Sequence, residues 1–340
     1  MANATILVPV HDVEKSTARK RSGAVATLLR QRLVLAVFTL FAVSLIIFAA
    51  TQLLPGNAAY SILGNTATPE KIQALESQMG LDQSAFAQYV GWAGDILTGN
   101  PGTSLASGAE IWPYVWPRLV NSAFLALFAG VLGAIVGISL GILTAWRRDR
   151  GVDHVVSTGA LVVTALPEFV VGIILILLFS TKVFTFLPPV SILPPGTFAW
   201  QRPVALVLPV VTLAAIVAPY ILRMTRAAVT EALDSDYVEM ARLKGLSDRR
   251  ILIAHAFPNA LPPVIQVVGL CLLYLAGGVV VVETVFAFPG IGQGLVASVT
   301  ARDVPVIQFM VLLLAVFYIC VNILTDVVAL IASPRRRFPR

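Results

Sequence analysis

The chain has 340 residues, of which 57% are hydrophobic and only 12% are charged, with a formal net charge of +6. Soluble domains contain roughly 25% charged residues, so this composition excludes a soluble protein and predicts one embedded in lipid. The two cysteines, Cys271 and Cys320, lie in apolar segments and do not support a disulfide framework. The histidines are scattered without metal-ligand spacing, and no phosphate-binding Gly-x-x-x-x-Gly-Lys motif occurs, so any ATP must be bound by another chain.

Apolar segments along the chain predict six transmembrane helices, because each approaches the length needed to cross a hydrocarbon core of about 30 Å. In chain order these segments are 33–53, 119–146, 155–179, 204–222, 264–282 and 306–331. Pro167-Glu168 interrupts the third, which predicts a kink or two separate pieces. We divide the chain into a polar tail (1–32), a first transmembrane helix (33–54), an extracytoplasmic helical segment (55–117), a core with helices two to six (118–332) and a basic tail (333–340).

The extracytoplasmic segment 55–117 is predicted to contain two short helices. The first begins at Thr68-Pro69-Glu70 and stops at Gly80, and the second begins near Asp82. Three aromatic residues then approach the second span as an interfacial anchor, namely Trp112, Tyr114 and Trp116. Two interpretations remain open: a cap that contacts only its own subunit, or a docking surface for an extracytoplasmic partner.

The second span carries Gly133, Gly137 and Gly141 at intervals of four residues. Small residues at this spacing allow another helix to approach closely, so we interpret the three glycines as a packing ridge.

Lys and Arg residues are distributed unevenly between the loops. Nineteen of the 24 lie before span one, between spans two and three, between spans four and five, or after span six. Because loops rich in Lys and Arg remain in the cytoplasm, both termini and the loop between spans four and five are predicted to be cytoplasmic. The positive charge then belongs to surfaces that meet anionic lipid and a partner protein, and does not indicate nucleic-acid binding.

The loop between spans four and five (223–263) is long and polar, and its first half predicts a short helix. Asp236 and Glu239 are spaced like a capping box at the start of this helix. Four residues are spaced three and four apart, as on one helical face: Tyr237, Met240, Ala241 and Lys244.

The second half of the same loop predicts a glycine turn and another short helix. Gly245 stands where a helix ends in a left-handed residue, and Leu246 is the apolar partner of such a cap. Ser247 is placed to cap a helix over 248–256, which Pro258 is expected to stop. Two short helices that meet at a glycine predict a compact knob.

This loop resembles the cytoplasmic signature of binding-protein-dependent ABC importers, in which Glu-Ala-Ala and a Gly are followed at fixed spacing by an apolar residue and Pro. The matching residues are Glu239-Met240-Ala241, Gly245 and His255-Ala256-Phe257-Pro258. Met240 replaces the middle Ala and His255 replaces a frequent Ile, and both variants are similar to the oligopeptide/dipeptide permease branch. The alternative interpretation is an amphipathic pair of helices on the membrane surface.

The resemblance covers most of the chain beyond residues 1–32. It includes Leu53-Leu54-Pro55-Gly56, Thr68-Pro69-Glu70, Gly80-Leu81-Asp82-Gln83, Gly102-Thr103-Ser104 and most of 119–331. The tail reads Ser333-Pro334-Arg335 where the family usually has Asp-Pro-Arg.

Three acidic residues, Glu168, Glu283 and Asp326, lie in or beside apolar spans, where an ionisable group is costly and is a functional candidate. For Glu168, which lies beside a proline, a structural role at the broken helix end is favoured over a functional role, and Asp326 is interpreted as a packing or cap residue. Glu283 and the following Phe286-Ala-Phe-Pro-Gly290 resemble the peptide-permease segment at the outer end of this span. For Glu283, Phe286, Pro289 and Gly290 a role in the pathway or its gate and a structural role both remain open.

The resemblance implies a type I ABC importer permease fold with both termini in the cytoplasm of a bacterial inner-membrane protein. It also implies a second, similar permease, two ABC ATPase subunits that bind ATP and Mg²⁺, and an external peptide-binding protein. No catalytic residue, metal site or nucleic-acid partner is expected in this chain. The residues expected to couple it to an ATPase are Asp236, Tyr237, Glu239, Ala241, Arg242, Lys244, Gly245, Leu246, His255 and Pro258.

Other functions are weighed against this interpretation. The same importer class also transports haem-like ligands and nickel chelates, and the sequence does not choose among these and di- or oligopeptides. An ion-coupled secondary transporter is disfavoured because inverted repeats and midplane ions are not evident. An intramembrane enzyme is disfavoured because no catalytic pair is present.

Overall fold

The computed structural model describes residues 10–53, 68–70, 73, 77, 83–194 and 197–332. The described α-helices are α1 (Val10–Gln52), α2 (Ala85–Leu97), α3 (Ile111–Trp146), α4 (Gly151–Ala165), α5 (Glu168–Ile176), α6 (Pro203–Leu233), α7 (Asp236–Leu243), α8 (Asp248–Ile251), α9 (Phe257–Val285), α10 (Ile291–Thr300) and α11 (Val304–Ala332). Within these ranges the only β-type pairing is an isolated bridge between Thr103 and Glu110. The predicted all-α class is confirmed.

Five described helical stretches are long and apolar enough to cross a membrane: Arg30–Gln52, Ile111–Trp146, Pro203–Leu233, Asp248–Leu275 and Val304–Val328. A sixth is obtained when Gly151–Ala165 and Glu168–Lys182, which are bent by 106° at their junction, are counted as one broken span. The break lies at the proline predicted to interrupt the third span, because Pro167 cannot donate a helical hydrogen bond and its ring crowds the preceding turn.

Two helices begin earlier than predicted. Helix α1 begins at Val10 and so extends into the tail 1–32, of which residues 1–9 lie outside the described part. Helix α3 begins at Ile111, inside the segment 55–117, and Trp112 and Trp116 stack on its first turns with 5.6 Å between ring centroids.

The fifth span differs from the prediction that Pro258 stops the helix before it. Helix α8 continues through a π-helical turn, Leu252–Ala256, directly into α9. Pro258 lies in the first turn of α9, and Pro262 and Pro263 lie inside it. The prediction was wrong because the wide π turn changes the hydrogen-bond register just before Pro258, where the missing N–H and the bulky ring are best tolerated.

Part of the outer segment is described. Helix α2 confirms the second predicted helix and is capped by Ser84, whose Oγ accepts from the Ala87 N–H at 3.3 Å. It packs on α1 through Tyr89, whose ring lies edge-on to Phe48 at 5.4 Å. Residues 54–67 and the predicted boundary at Gly80 to Asp82 lie outside the described residues, as does the basic tail 333–340.

The helices are held together mainly by α3, α6 and α9. Contacts between α3 and α6 are the most extensive of the described part of the chain. The structure places the glycine ridge at this interface, where a Cβ on Gly137 would lie 2.7 Å from the Ala218 carbonyl oxygen. Gly133 and Gly141 face Val217 and Thr225 of α6 in the same way. Close backbone approach therefore depends on the absence of side chains at the three glycines.

Helix α1 packs at the edge of this group, against α11. Arg32 forms an ion pair with Asp326 at 2.7 Å, and Gln308 Nε2 donates to Thr51 Oγ1 at 2.7 Å. Asp326 thus serves helix packing, as the sequence predicted.

The predicted orientation can be tested by cysteine labelling in a Cys320→Ala background. Cysteine at Ala106 should react with a membrane-impermeant maleimide in intact cells, and cysteine at Ser247 should react only after the cytoplasmic side is opened. Ala106 is exposed. It is preferable to nearby Ser104, whose Oγ donates to Asp303 at 2.5 Å. The reverse labelling pattern would contradict the orientation predicted from charge.

Candidate functional site

The inner knob, which we define as residues 234–256, contains α7 and α8 and a glycine turn between them. Gly245 has φ of +76°, the left-handed conformation expected from its position. The Leu246 N–H donates to the Ala241 carbonyl at 3.3 Å and the Gly245 N–H to the Arg242 carbonyl at 2.9 Å. This pair of bonds is a Schellman motif, which fixes the direction in which the chain leaves α7.

The start of α7 differs from the predicted capping box. Ser235, not Asp236, is the N-cap residue, and no side chain bonds the free N–H groups of the first turn. The Ser235 hydroxyl instead donates to the Ala232 carbonyl at 2.5 Å, across the junction with α6. Asp236 and Glu239 lie exposed in the first turn, where their charge favours the helix dipole and both carboxylates face solvent.

A small apolar core gives the knob a fixed shape. Val238, Ala241 and Ile251 are buried, and Leu233 and Leu246 pack against them. The predicted face that grouped Ala241 with Tyr237, Met240 and Lys244 is therefore wrong for Ala241. Its carbonyl accepts the Leu246 N–H of the glycine turn, and its methyl group packs in the apolar core with Val238 and Ile251.

The opposite side of α7 presents apolar side chains to solvent. Tyr237, Met240 and Leu243 are 42%, 55% and 77% exposed. Sequence analysis missed Leu243, although its spacing of three from Met240 was a usable signal. Asp236, Glu239 and Lys244 lie beside these apolar side chains, and the exposed Tyr237 and Met240 are residue types that protein interfaces favour.

The knob is connected to the end of α3 by charged residues. Arg148, just after α3, forms an ion pair with Asp234 of the knob at 2.8 Å. Within the knob, Arg242 approaches Asp248 at 3.9 Å. A cavity of about 280 Å³ lies between them and is also lined by Arg150. His255 is half-buried, and its backbone carbonyl accepts a hydrogen bond from the Asn259 side chain at 2.8 Å. Pro258 is exposed beside the knob.

An ion pair that the sequence did not indicate joins α4 to α6, with Asp153 buried and Arg226 half-buried. The Arg226 guanidinium donates to both oxygens of Asp153, at 2.8 and 2.7 Å. Asp153 also accepts from the Asp149 N–H and the Ser157 hydroxyl, each at 3.1 Å. The pair fixes the inner half of the broken span, because removing Arg226 would leave the buried Asp153 carboxylate without its compensating charge.

At the other end of α9, Glu283 is completely buried. Its Oε2 accepts from the N–H groups of Gly292 at 2.8 Å and Gln293 at 3.0 Å, and its Oε1 accepts from the Ser122 hydroxyl. The Ser122 oxygen in turn accepts from the Ile291 N–H at 2.8 Å. Glu283 and Ser122 together satisfy the first three N–H groups of α10.

Residues 286–290, which we call the outer plug, connect α9 to α10 around this carboxylate. Phe286 and Phe288 are completely buried, and a Cβ on Gly290 would overlap the Glu283 carboxylate. Asn121 anchors the plug by donating to the Pro289 carbonyl at 3.2 Å, while its own oxygen accepts from the Ala199 N–H at 2.8 Å. The structure places the four predicted pathway residues together here, in a buried, hydrogen-bonded centre.

The chain belongs to the family of binding-protein-dependent transport system inner membrane components, whose model matches residues 137–338. The model of the N-terminal region of such membrane components matches residues 25–114. The chain is thus an ABC transporter permease subunit embedded in a membrane, as its inner knob and apolar helices predicted.

Individual relatives cover nearly the whole chain. A probable peptide ABC transporter permease of Sinorhizobium fredii is 35% identical over 310 residues, 91% of this chain and 98% of the relative. A dipeptide transport system permease of Alkalihalophilus pseudofirmus is 32% identical, over 91% of this chain and 98% of its own length. A glutathione transport system permease of Escherichia coli is 35% identical, over 88% and 95%.

A solved structure shares the fold. A chain of the MetNI methionine ABC transporter, in inward-facing conformations, aligns with a TM-score of 0.53 at 19% identity. The alignment covers 65% of this chain and 96% of that chain. The type I permease fold expected from the sequence is confirmed.

Proposed function

We propose that this chain is one of two permease subunits of an importer that carries peptides across the bacterial inner membrane and is driven by ATP hydrolysis in separate subunits. The observation that carries the proposal is the inner knob, a pair of short helices packed around a small apolar core, with an exposed face of apolar and charged side chains. Its residues stand where the importer signature has its coupling loop. The permease itself changes no covalent bond.

In this proposal the inner knob docks into a groove of one ATPase subunit. Tyr237, Met240 and Leu243 supply apolar contact area, and Glu239, Arg242 and Lys244 supply charge complementarity that fixes the register. Two ATPase subunits bind ATP and Mg²⁺ and close on each other. The knobs then move together, tilt α6 and α9, and switch the cavity between the two permeases from inward-facing to outward-facing.

A peptide substrate is favoured because the curated relatives described above are named as peptide, dipeptide and glutathione permeases. An external binding protein would deliver the peptide to the outer surface. Haem-like ligands and nickel chelates remain the second choice, since the described residues contain no feature that excludes them.

The proposal is tested by purifying the tagged chain with its native partners in mild detergent and reconstituting the complex in liposomes. We expect a second permease and ATPase subunits to co-purify, and we expect peptide uptake that requires both ATP and a binding protein. Mass spectrometry of the accumulated solutes identifies the substrate without prior choice. Uptake driven by an ion gradient in the absence of ATP would contradict the proposal.

A further inference from the structure

A second polar site lies at the bend of the broken span and shares no lining residue with the inner knob or the outer plug. A cavity of about 330 Å³ opens there between the α4–α5 junction, α6 and α9. Glu168, the first residue of α5, lies in its wall with Tyr220 of α6 and Tyr274 of α9. The Tyr274 hydroxyl donates to Glu168 Oε2 at 3.2 Å.

The charge of Glu168 is not neutralised by the protein residues that the structure describes. The ion pairs found among these residues do not include Glu168, and the lining of the cavity contains no Lys or Arg. The guanidinium of Arg223 lies over the ring of Tyr220, at 5.3 Å from its centroid, rather than on the carboxylate. A carboxylate has about four lone-pair positions, so most of its acceptor capacity faces the cavity.

The site lies near the middle of α6 and of α9 along their lengths. Tyr220 and Tyr274 are each about 25 Å along their helices from the first residue, at 1.5 Å per residue, and α6 and α9 run in opposite directions through the bilayer. A half-buried carboxylate at this depth is costly against lipid, so such a residue faces a water-filled cavity or a partner. The proposed pathway between two permeases provides the water-filled cavity.

We propose that Glu168, Tyr220 and Tyr274 form a subsite for the ammonium group of a substrate, namely the free amino terminus of a peptide. The carboxylate supplies a charge-assisted hydrogen bond, and the exposed phenol ring of Tyr274 supplies an electron-rich face for a cation. Tyr220, whose ring already has Arg223 over it, forms another part of the cavity wall. The inference rests on the proposed peptide importer function and names a group common to all unblocked peptides. Specificity for one side chain is not required at such a subsite, because the amino terminus is shared.

The test uses the complete reconstituted complex with its binding protein and a defined mixture of unblocked di- to pentapeptides as the probe. Glu168→Gln keeps an acceptor for Tyr274 but removes the charge, and we expect peptide uptake to fall about tenfold. ATP hydrolysis stimulated by the loaded binding protein should remain within about twofold, because the inner knob is unchanged. Glu168→Asp should restore most of the uptake, and Thr164→Val, in the same cavity wall, should behave as wild type.

Three outcomes would overturn the inference. Normal uptake in Glu168→Gln would show that the charge is not used. Loss of the second permease from purified Glu168→Gln complex would identify the carboxylate as a subunit contact. Equal loss of uptake and stimulated hydrolysis in Glu168→Gln and Glu168→Asp would identify a purely structural residue. Absence of peptide uptake by the wild-type complex would instead contradict the proposed function, so the two failures are distinguishable.

Discussion

Gly245→Val is expected to abolish transport while the protein accumulates at its normal level. The φ of +76° at this position costs a residue with a Cβ roughly 1–2 kcal/mol, and a β-branched residue more. That penalty is small beside the stability of the helical bundle, but it is large for a turn held by two terminal hydrogen bonds. Reorientation of α7 would displace the exposed face of the inner knob, so ATP hydrolysis should no longer respond to loaded binding protein.

The matched control for this variant is Gly245→Asn. No atom lies within 4 Å of a Cβ built on Gly245, so both side chains extend into open space and only the backbone preference differs. Asparagine enters the left-handed region more readily than other residues with a side chain, and its variant should retain most of the stimulated hydrolysis. Gly245→Ala should lie between the two. Normal uptake by the valine variant would refute the proposed role of this turn.

Glu283→Leu is expected to destabilise the protein strongly, since it leaves three donors without an acceptor in a dry site: the Ser122 hydroxyl and the N–H groups of Gly292 and Gln293. At about 1–3 kcal/mol for each of the three unsatisfied groups, the total loss is roughly 3–9 kcal/mol. The melting temperature in detergent and the amount of membrane-inserted protein should both fall. Glu283→Gln should be milder, because the amide oxygen can still accept from the two N–H groups.

Thr284→Val is the control for Glu283→Leu, because Thr284 is the next residue of α9, is exposed, and bonds only to the Val280 carbonyl of its own helix. It should melt as wild type does. This experiment also separates the two interpretations of Glu283 left open by the sequence. A Glu283→Leu protein that is as stable as wild type but fails to transport would favour a role in the gate over a structural role.

Features with local causes could be predicted from the sequence. The left-handed Gly245 follows from a glycine placed after a short amphipathic helix, and the break at Pro167 follows from proline chemistry. The apolar spans follow from composition and length alone. Each of these needs information from only a few neighbouring residues or one continuous segment.

Features that depend on distant partners could not be predicted. Ser122 and Glu283 are 161 residues apart, and Asp153 and Arg226 are 73 apart, so no spacing rule connects them. The prediction at Pro258 failed for a different reason. A proline after a helical segment reads as a stop, but it is equally compatible with the first turn of the next helix when a π turn precedes it.

Helix α8, the π turn and α9 form one continuous helical path, which connects the inner knob directly to the outer plug. Helix α9 alone has 29 residues, a rod roughly 43 Å long, so a tilt of about 10° at its inner end displaces its outer end by about 7 Å. The outer end carries Glu283, and through it the start of α10. In the transport cycle that we propose, a movement begun at the inner knob would reach the outer plug along the backbone of α9 itself, and Pro262 and Pro263 are the points at which this helix would bend instead.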